Sequence, residues 1–305
     1  MKRTVHVGNL DPAAESFEYD AAFDVRDLVD VDEIMSEGGL GPNGGLVYCM
    51  EYLLQHSEWL KDELDAFGEE DYILLDCPGQ IELYSHLPIM RDLSKLILSW
   101  DFHAVAVYIL DSVFVLEPAK FISGCLLSLS CMLQLGLPHV GVISKCDIAD
   151  KEAIERILDR ESSHDILSDS SAAQRVNPAL NKLTRAIGSV IDDFMIVSFV
   201  MLDPTDDESI EEVVARIDAS CQYGTRTPLH PRTFMVVLII YMWTRRRRRR
   251  APRIARAGGG GGPRAGRLKR LHSLTMVTLK TFMCSFLPPL PPFDTLYHSS
   301  IYTIQ

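Results

Sequence analysis

The sequence contains seven cysteines but no C-x-x-C pair. Neither a zinc site nor a disulfide framework is indicated, and a reducing compartment, cytosol or nucleus, is expected. A long apolar run is also missing. The longest, "FMVVLIIYMW" from Phe234 to Trp243, is about half the ~20 residues that a bilayer-spanning helix needs. The opening "MKRTVHVGNLDPAAE" carries no apolar stretch after its two basic residues, so no secretory leader is expected. Basic residues are scarce through most of the chain. From Gly224 onward 15 Lys and Arg face one acid, Asp294, which leaves 15 of the 30 basic and 41 of the 42 acidic residues before it. The first part therefore carries about −26 and the last part about +14. An acidic body of that kind argues against non-specific nucleic-acid binding.

The composition is that of a globular chain, with 47% hydrophobic and 24% charged residues,. Up to Gly224, short apolar β-branched runs alternate with helical patterns. Thr4–Leu10, Asp71–Asp76, His103–Asp111, His139–Lys145 and Met195–Val200 read as buried strands,. Helices are expected over Gly45–Phe67, Leu87–Ser99, Glu117–Leu135, Lys151–Asp159, Asn177–Asp193 and Asp207–Gln222. Strands apolar on both faces and separated by helices predict an α/β fold with a parallel sheet. After Gly224 the arginine run Arg245–Arg250, "AGGGGGPRAGR" and "LPPLPPF" are low-complexity pieces,. The expected organisation is one domain over residues 1–224 and a basic, disordered tail over 225–305.

Ligands of parallel α/β sheets sit at the carboxyl ends of the strands, and three expected strands end there in polar clusters. "DCPGQIE" places Asp76 at a strand end, ahead of a Pro78-Gly79 turn. Such a carboxylate can hold magnesium through water, and a glycine amide can approach a phosphate unobstructed. Alone, the same residues also make an ordinary turn. "SKCD", Ser144–Asp147, offers a carboxylate that can accept from the N1 and N2 edge of guanine, with a lysine stem to lie along base and ribose. Its alternative is a helix cap made by Asp147 or Asp150. "NLDPAAE" adds Asp11, which could equally cap a helix opened by Pro12,. A fourth feature, "SEGGLGPNGGLVYCMEYLL", crowds glycines before an amphipathic helix; a helix-initiating turn with Asn43 as cap is its plain reading.

Taken in order, "NLDPAAE", "GPNGG", "DCPGQIELYSHLP", "KFISG" and "QYG" resemble the motif set of the GPN-loop GTPases over roughly Thr4–Gly224. The resemblance implies a P-loop NTPase-like fold, with helices on both faces of the sheet, that works as a nucleotide-bridged dimer with GTP and magnesium. By position, Asp76 is the magnesium-linked aspartate and Gly79 the γ-phosphate amide. Asp11 and Gln80 orient the attacking water, with Glu82 in support, and Lys145 and Asp147 read guanine. Ser144 stands where the family carries Asn or Thr, so weaker base affinity is implied. Gly41, Pro42 and Asn43 are directed at the partner's nucleotide. The implied partners are a paralogue of the same family, GPN-loop GTPase 1, or a second copy, and RNA polymerase II subunits during assembly and nuclear import. Neither direct nucleic-acid contact nor a membrane is implied, and the location is the cytoplasm with shuttling to the nucleus.

One family element has no counterpart. The phosphate-cradling G-x-x-x-x-G-K-[ST] is absent, since no Gly-Lys dipeptide occurs in the sequence. "GGPRAGRL" has Arg267 and Leu268 in place of the lysine and hydroxyl and lies in low-complexity sequence. The expectation is a sheet lacking its first strand and phosphate loop, in an N-terminally truncated chain with an unrelated tail. Charge-assisted phosphate contacts are worth ~1.5–3 kcal/mol each, so nucleotide affinity would be impaired. A non-catalytic interaction subunit, dimerising through Gly45–Phe67, is the alternative function. The arginine run could also contact nucleic acid, anionic lipid or an import receptor. Met50, Leu53, Leu54 and Leu60 read as core. His86, His103 and His139 read as ordinary residues, and Cys77 as a small buried filler.

Overall fold

Among the described residues, seven strands form one parallel sheet in this computed structural model, in the order Phe23–Asp24, Val5–Asn9, Tyr72–Asp76, Met235–Tyr241, His103–Asp111, His139–Ser144 and Phe199–Met201. The structure describes residues 4–15, 19–68, 71–159, 178–193, 199–221 and 235–241. The strands are β1 (Val5–Asn9), β2 (Phe23–Asp24), β3 (Tyr72–Asp76), β4 (His103–Asp111), β5 (His139–Ser144), β6 (Phe199–Met201) and β7 (Met235–Tyr241). The expected Met195–Val200 strand begins at Phe199, its first residues lying outside the described ones.

Alternate side chains face opposite sides of each strand, which gives the molecule two cores. On one side Ile73, Leu75, Ala106, Tyr108, Leu110, Ile143, Leu238 and Ile240 pack with helices α2 (Pro42–Gln55), α5 (Ile89–Ser99) and α7 (Pro118–Leu135). On the other, Leu74, Val105, Val107, Val142, Val237 and Ile239 pack under Ile210, Val213 and Ile217, which lie in the helix Asp207–Ser220. The expected Gly45–Phe67 helix is two helices, α2 and α3 (Ser57–Asp65). They break at His56, whose backbone leaves the helical region while its ring stacks on Tyr52 with centroids 4.0 Å apart.

β7 comes from the stretch expected as a tail. The sheet has a strand between β3 and β4, drawn from beyond residue 224, and the rest of 225–305 lies outside the described residues. Met235–Tyr241 fills that slot, pairing Tyr72–Asp76 on one side and His103–Ile109 on the other. A central parallel strand must be apolar on both faces, and "MVVLIIY" is. Too short for a bilayer, the run has the right length for a strand. Val237, Leu238, Ile239 and Ile240 are each at most 2% exposed.

The two edge strands are short, of two and three residues, as edges that resist further pairing commonly are. Each carries a phenylalanine directly opposite a glycine: Phe23 faces Gly8 and Phe199 faces Gly141. The rings lie where a β-carbon would otherwise stand.

His139 opens β5 with its ring against Tyr108 and its Nε2 2.9 Å from Ser128 Oγ. Its buried Nδ1 has no hydrogen-bond partner among the described residues. Burial lowers its pKa from 6.5 to about 4. Above pH 6.5 the group is neutral folded or unfolded and contributes nothing. Between 6.5 and 4 the unfolded chain takes up the proton first, so stability falls as pH falls, by about 3 kcal/mol in total. Urea unfolding of His139→Gln beside the wild type, across pH 4 to 7.5, is expected to show the shallower pH slope for the variant.

Candidate functional site

In a parallel sheet all carboxyl ends share one edge, which brings the sequence motifs together. The register sets Asn9 beside Asp76, Asp76 beside Ile239, and Asp111 beside Ser144. Neighbouring strands lie ~4.8 Å apart, so β3 and β5 are ~14 Å apart with β7 and β4 between them. Asp11, Asp76 and Gly79 therefore stand on one side of the end of β7, and Ser144, Lys145 and Asp147 on the other.

The end of β1 is a tied turn. Buried Asn9 donates from Nδ2 to Asp24 Oδ1 at 2.8 Å and to Asp11 O at 3.1 Å, and its Oδ1 accepts from Asp11 N at 3.0 Å. Leu10 N donates to Asp76 O at 2.8 Å, which fixes this turn against β3. Asp11 Oδ1 accepts from Ala13 N at 2.9 Å, so Asp11 caps a turn and not the helix that Pro12 suggested. Beneath it Asp24 forms a salt bridge with Arg26. Burial pushes the Asp24 carboxyl up, but the hydrogen bonds from Arg26 and Asn9 prevail and hold it below its ordinary value.

Asp76 ends β3 at 7% exposure and accepts from Tyr19 Oη at 2.6 Å. The following Pro78-Gly79 turn is held by Tyr84, whose hydroxyl donates to Pro78 O at 2.7 Å. Burial, with the charge of Asp76 next to it, pushes the Cys77 thiol far up, which suits a filler and not a nucleophile. Gln80 donates from Nε2 to Asn43 Oδ1 at 3.0 Å. The GPN segment is thus in contact with the glutamine of its own chain. Gly41 is the N-cap of α2, Pro42 its first residue and Asn43 its second, so Asn43 is not the cap. All three are exposed. Glu82 opens the short helix α4 (Glu82–Ser85) and is exposed.

At the end of β5, Ser144 Oγ donates to Leu110 O at 3.3 Å. Lys145 adopts the left-handed conformation, φ 63°, and its Nζ donates to Asp111 Oδ2 at 2.6 Å. Asp147 is exposed, and Asp150 caps the helix α8 (Lys151–Leu158) through Ala153 N. That settles the two cap alternatives: Asp150 has the structural task and Asp147 stays available to a ligand. Behind this loop a cavity of about 600 Å³ is lined by Cys146, Lys151, Glu155, Asp203 and Asp206. Lys151 there is paired with Asp203, so the cavity wall is mainly acidic and suits no phosphate.

Sequence reasoning passed over Asn9, Tyr19, Asp24, Asp111 and Ser112. For Asp111 a signal existed: "YILDS" ends an apolar strand in an aspartate as "ILLDC" does. Tyr19 and Asp24 gave none, because nothing in the sequence places them against β1 and β3. Magnesium usually reaches a protein through one or two carboxylates, with phosphates and water completing its octahedron. Among the described residues no three His, Cys, Asp or Glu groups gather to hold a metal by themselves. Asp76, buried at a strand end and tied to the Leu10–Asp11 turn, fits that water-linked kind of site.

Comparison with known proteins places these features in a family. A family model described as "Conserved hypothetical ATP binding protein" matches residues 1–223. Curated relatives include GPN-loop GTPase 3 of Dictyostelium discoideum, 46% identical over 73% of this chain and 79% of that protein. GPN-loop GTPase 3 of Danio rerio is 45% identical with the same coverage. Among solved structures, a GTPase in apo form from Pyrococcus abyssi aligns with a TM-score of 0.58 and 23% identity, over 72% of this chain and 86% of that one. At that identity the structural match speaks for the fold alone: an α/β sheet of the kind found in that GTPase.

Proposed function

Since the chain belongs to the GPN-loop GTPase family, we propose that it binds GTP with magnesium and hydrolyses it as a dimer. The observation that carries this is the shared edge: Asp11, Asp76, Gly79 and Gln80 at the β1 and β3 ends, and Lys145 and Asp147 beyond β5. In this reading Asp147 accepts from the base and the Lys145 stem lies along base and ribose. The Gly79 amide meets the terminal phosphate. Asp76 holds the magnesium through water, and the metal supplies charge neutralisation for the phosphates. Asp11 and Gln80 orient the attacking water. A carboxylate at the base position favours guanine, whose N1 and N2 both donate, over the adenine that the family description names.

The same reading takes a paralogue, GPN-loop GTPase 1, or a second copy as dimer partner. It places the complex in RNA polymerase II assembly and nuclear import, working from the cytoplasm. The exposed position of Gly41, Pro42 and Asn43 supports a partner-facing role. Co-purification of the tagged chain is expected to recover the paralogue and polymerase subunits.

A second reading, an interaction subunit that does not load nucleotide, draws on one observation. Lys145 and Lys151, at and just beyond the end of β5, are each paired with a carboxylate. Titration with a fluorescent GTP analogue separates the two. Magnesium-dependent binding that GTP but not ATP competes away is expected, and Asp147→Ala should weaken it by about a hundredfold or more, since two hydrogen bonds to a charged group are worth ~3–6 kcal/mol. Absence of binding at millimolar nucleotide would favour the interaction subunit, and equal competition by ATP would overturn the base assignment.

A further inference from the structure

Lys145 is one of two non-glycine residues with a positive φ among the described residues, at 63°. The left-handed region costs an L-residue ~1–2 kcal/mol, and such strain persists where the surroundings over-determine it. Here the surroundings come from β4, the neighbouring strand, and from the short helix α6 (Ser112–Val115) that follows it. Ser112, fully buried, donates from Oγ to Lys145 O at 3.0 Å. Ile148 N donates to the same carbonyl at 3.2 Å. Asp111 accepts from Lys145 Nζ at 2.6 Å, with the two side chains 17% and 27% exposed. Asp111 is held in turn by its cap of α6, since its Oδ1 accepts from Val113 N at 3.1 Å. Backbone and ammonium of Lys145 are thus both gripped by one dipeptide, 33 and 34 positions upstream.

We propose that Asp111 and Ser112 are positioning residues for guanine-nucleotide recognition: they hold Lys145 left-handed, with its stem laid across the place of the base and ribose. This rests on the GTPase reading and deepens it. Two consequences distinguish the role from general support of the fold. The stem of Lys145 meets the face of the base and not its edge, so losing its position weakens every purine nucleotide by the same factor. The base edge remains the task of Asp147, so the preference for GTP over inosine triphosphate, which lacks the N2 amino group, should not change. Asparagine is also a good cap, so Asp111→Asn keeps α6 while removing the charge that holds the ammonium.

The test measures GTP and inosine triphosphate affinities of the full chain, wild type beside Asp111→Asn, Ser112→Ala, Lys145→Met and the Asp111→Asn/Lys145→Met double variant. Asp111→Asn and Ser112→Ala are expected to weaken both nucleotides about tenfold with their ratio unchanged. The double variant should be no weaker than Lys145→Met, because Asp111 acts through Lys145. Additive losses in the double variant, a changed GTP-to-inosine ratio, or wild-type affinity in Asp111→Asn would each overturn the inference while leaving the GTPase reading intact. A wild-type chain that binds neither nucleotide would overturn both.

Discussion

Removing residues 225–305 is expected to abolish cooperative folding of the chain, even though the family match ends at residue 223. The cut takes away β7, which sits between β3 and β4 and pairs with both. Four of its side chains, Val237, Leu238, Ile239 and Ile240, are at most 2% exposed. Full burial of such side chains is worth ~1.5–3 kcal/mol each, or about 6–12 kcal/mol together. Net stability of a domain is only ~5–15 kcal/mol, so the loss is comparable with the whole. The facing edges of β3 and β4 would also be left with unpaired backbone groups inside the sheet, at further cost. A chain ending after Thr244 keeps the strand and is the proper comparison. Circular dichroism and urea unfolding are expected to show one cooperative transition for that chain and none for the chain ending at 224. A cooperative transition in the shorter chain would mean that β7 is dispensable. The substitution Leu238→Asp, which buries an unpaired carboxylate, should approach the effect of the deletion.

Gly8→Ala is expected to cost about 2–3 kcal/mol, toward the upper end of what overpacking does in a filled core. A β-carbon at Gly8 would stand 2.1 Å from Phe23 Cζ and within 2.6 Å of both Cε atoms. The ring has little room to withdraw, since Phe23 is 5% exposed and packs edge-on against Trp59, with Phe67 on another side. Movement of β1 would carry Asn9 and the Asp11 turn away from Asp76, so nucleotide binding should weaken along with stability. The double variant Gly8→Ala/Phe23→Leu removes the clash and is expected to lose less than the sum of the two single changes. Gly141→Ala is the companion at the other edge, where the β-carbon would meet Phe199 Cδ1 at 2.8 Å. Chemical unfolding of the four variants checks this, and a fully additive double variant would show that ring and methyl do not compete for one space.

Much of the site was legible in the sequence, for a local reason. A carboxylate or lysine that closes a doubly apolar run must emerge at the strand's carboxyl end, and parallel strands put those ends on one edge. That places Asp11, Asp76, Lys145 and Asp147 together before any coordinates are known. The α/β class, and the positions of β1, β3, β4 and β5 to within a residue or two, follow from the same apolar runs. What local pattern cannot show is which groups meet across the sheet. The contact of Gln80 with Asn43, 37 positions apart, depends on how α2 lies over the end of β3. The grip of Asp111 and Ser112 on Lys145 depends on β4 and β5 being neighbours in a fixed register. Tyr19 reaches Asp76 from a segment with no periodic signal at all.

By itself the sequence determined an acidic α/β body with its polar motifs at strand ends, because periodicity and chain connectivity are local properties. Only the tertiary structure decided that "MVVLIIY" belongs to that body. An apolar run records that it must be buried, and not where. The place is set by the one position in the sheet that can satisfy two unpaired strand edges and two apolar faces at once.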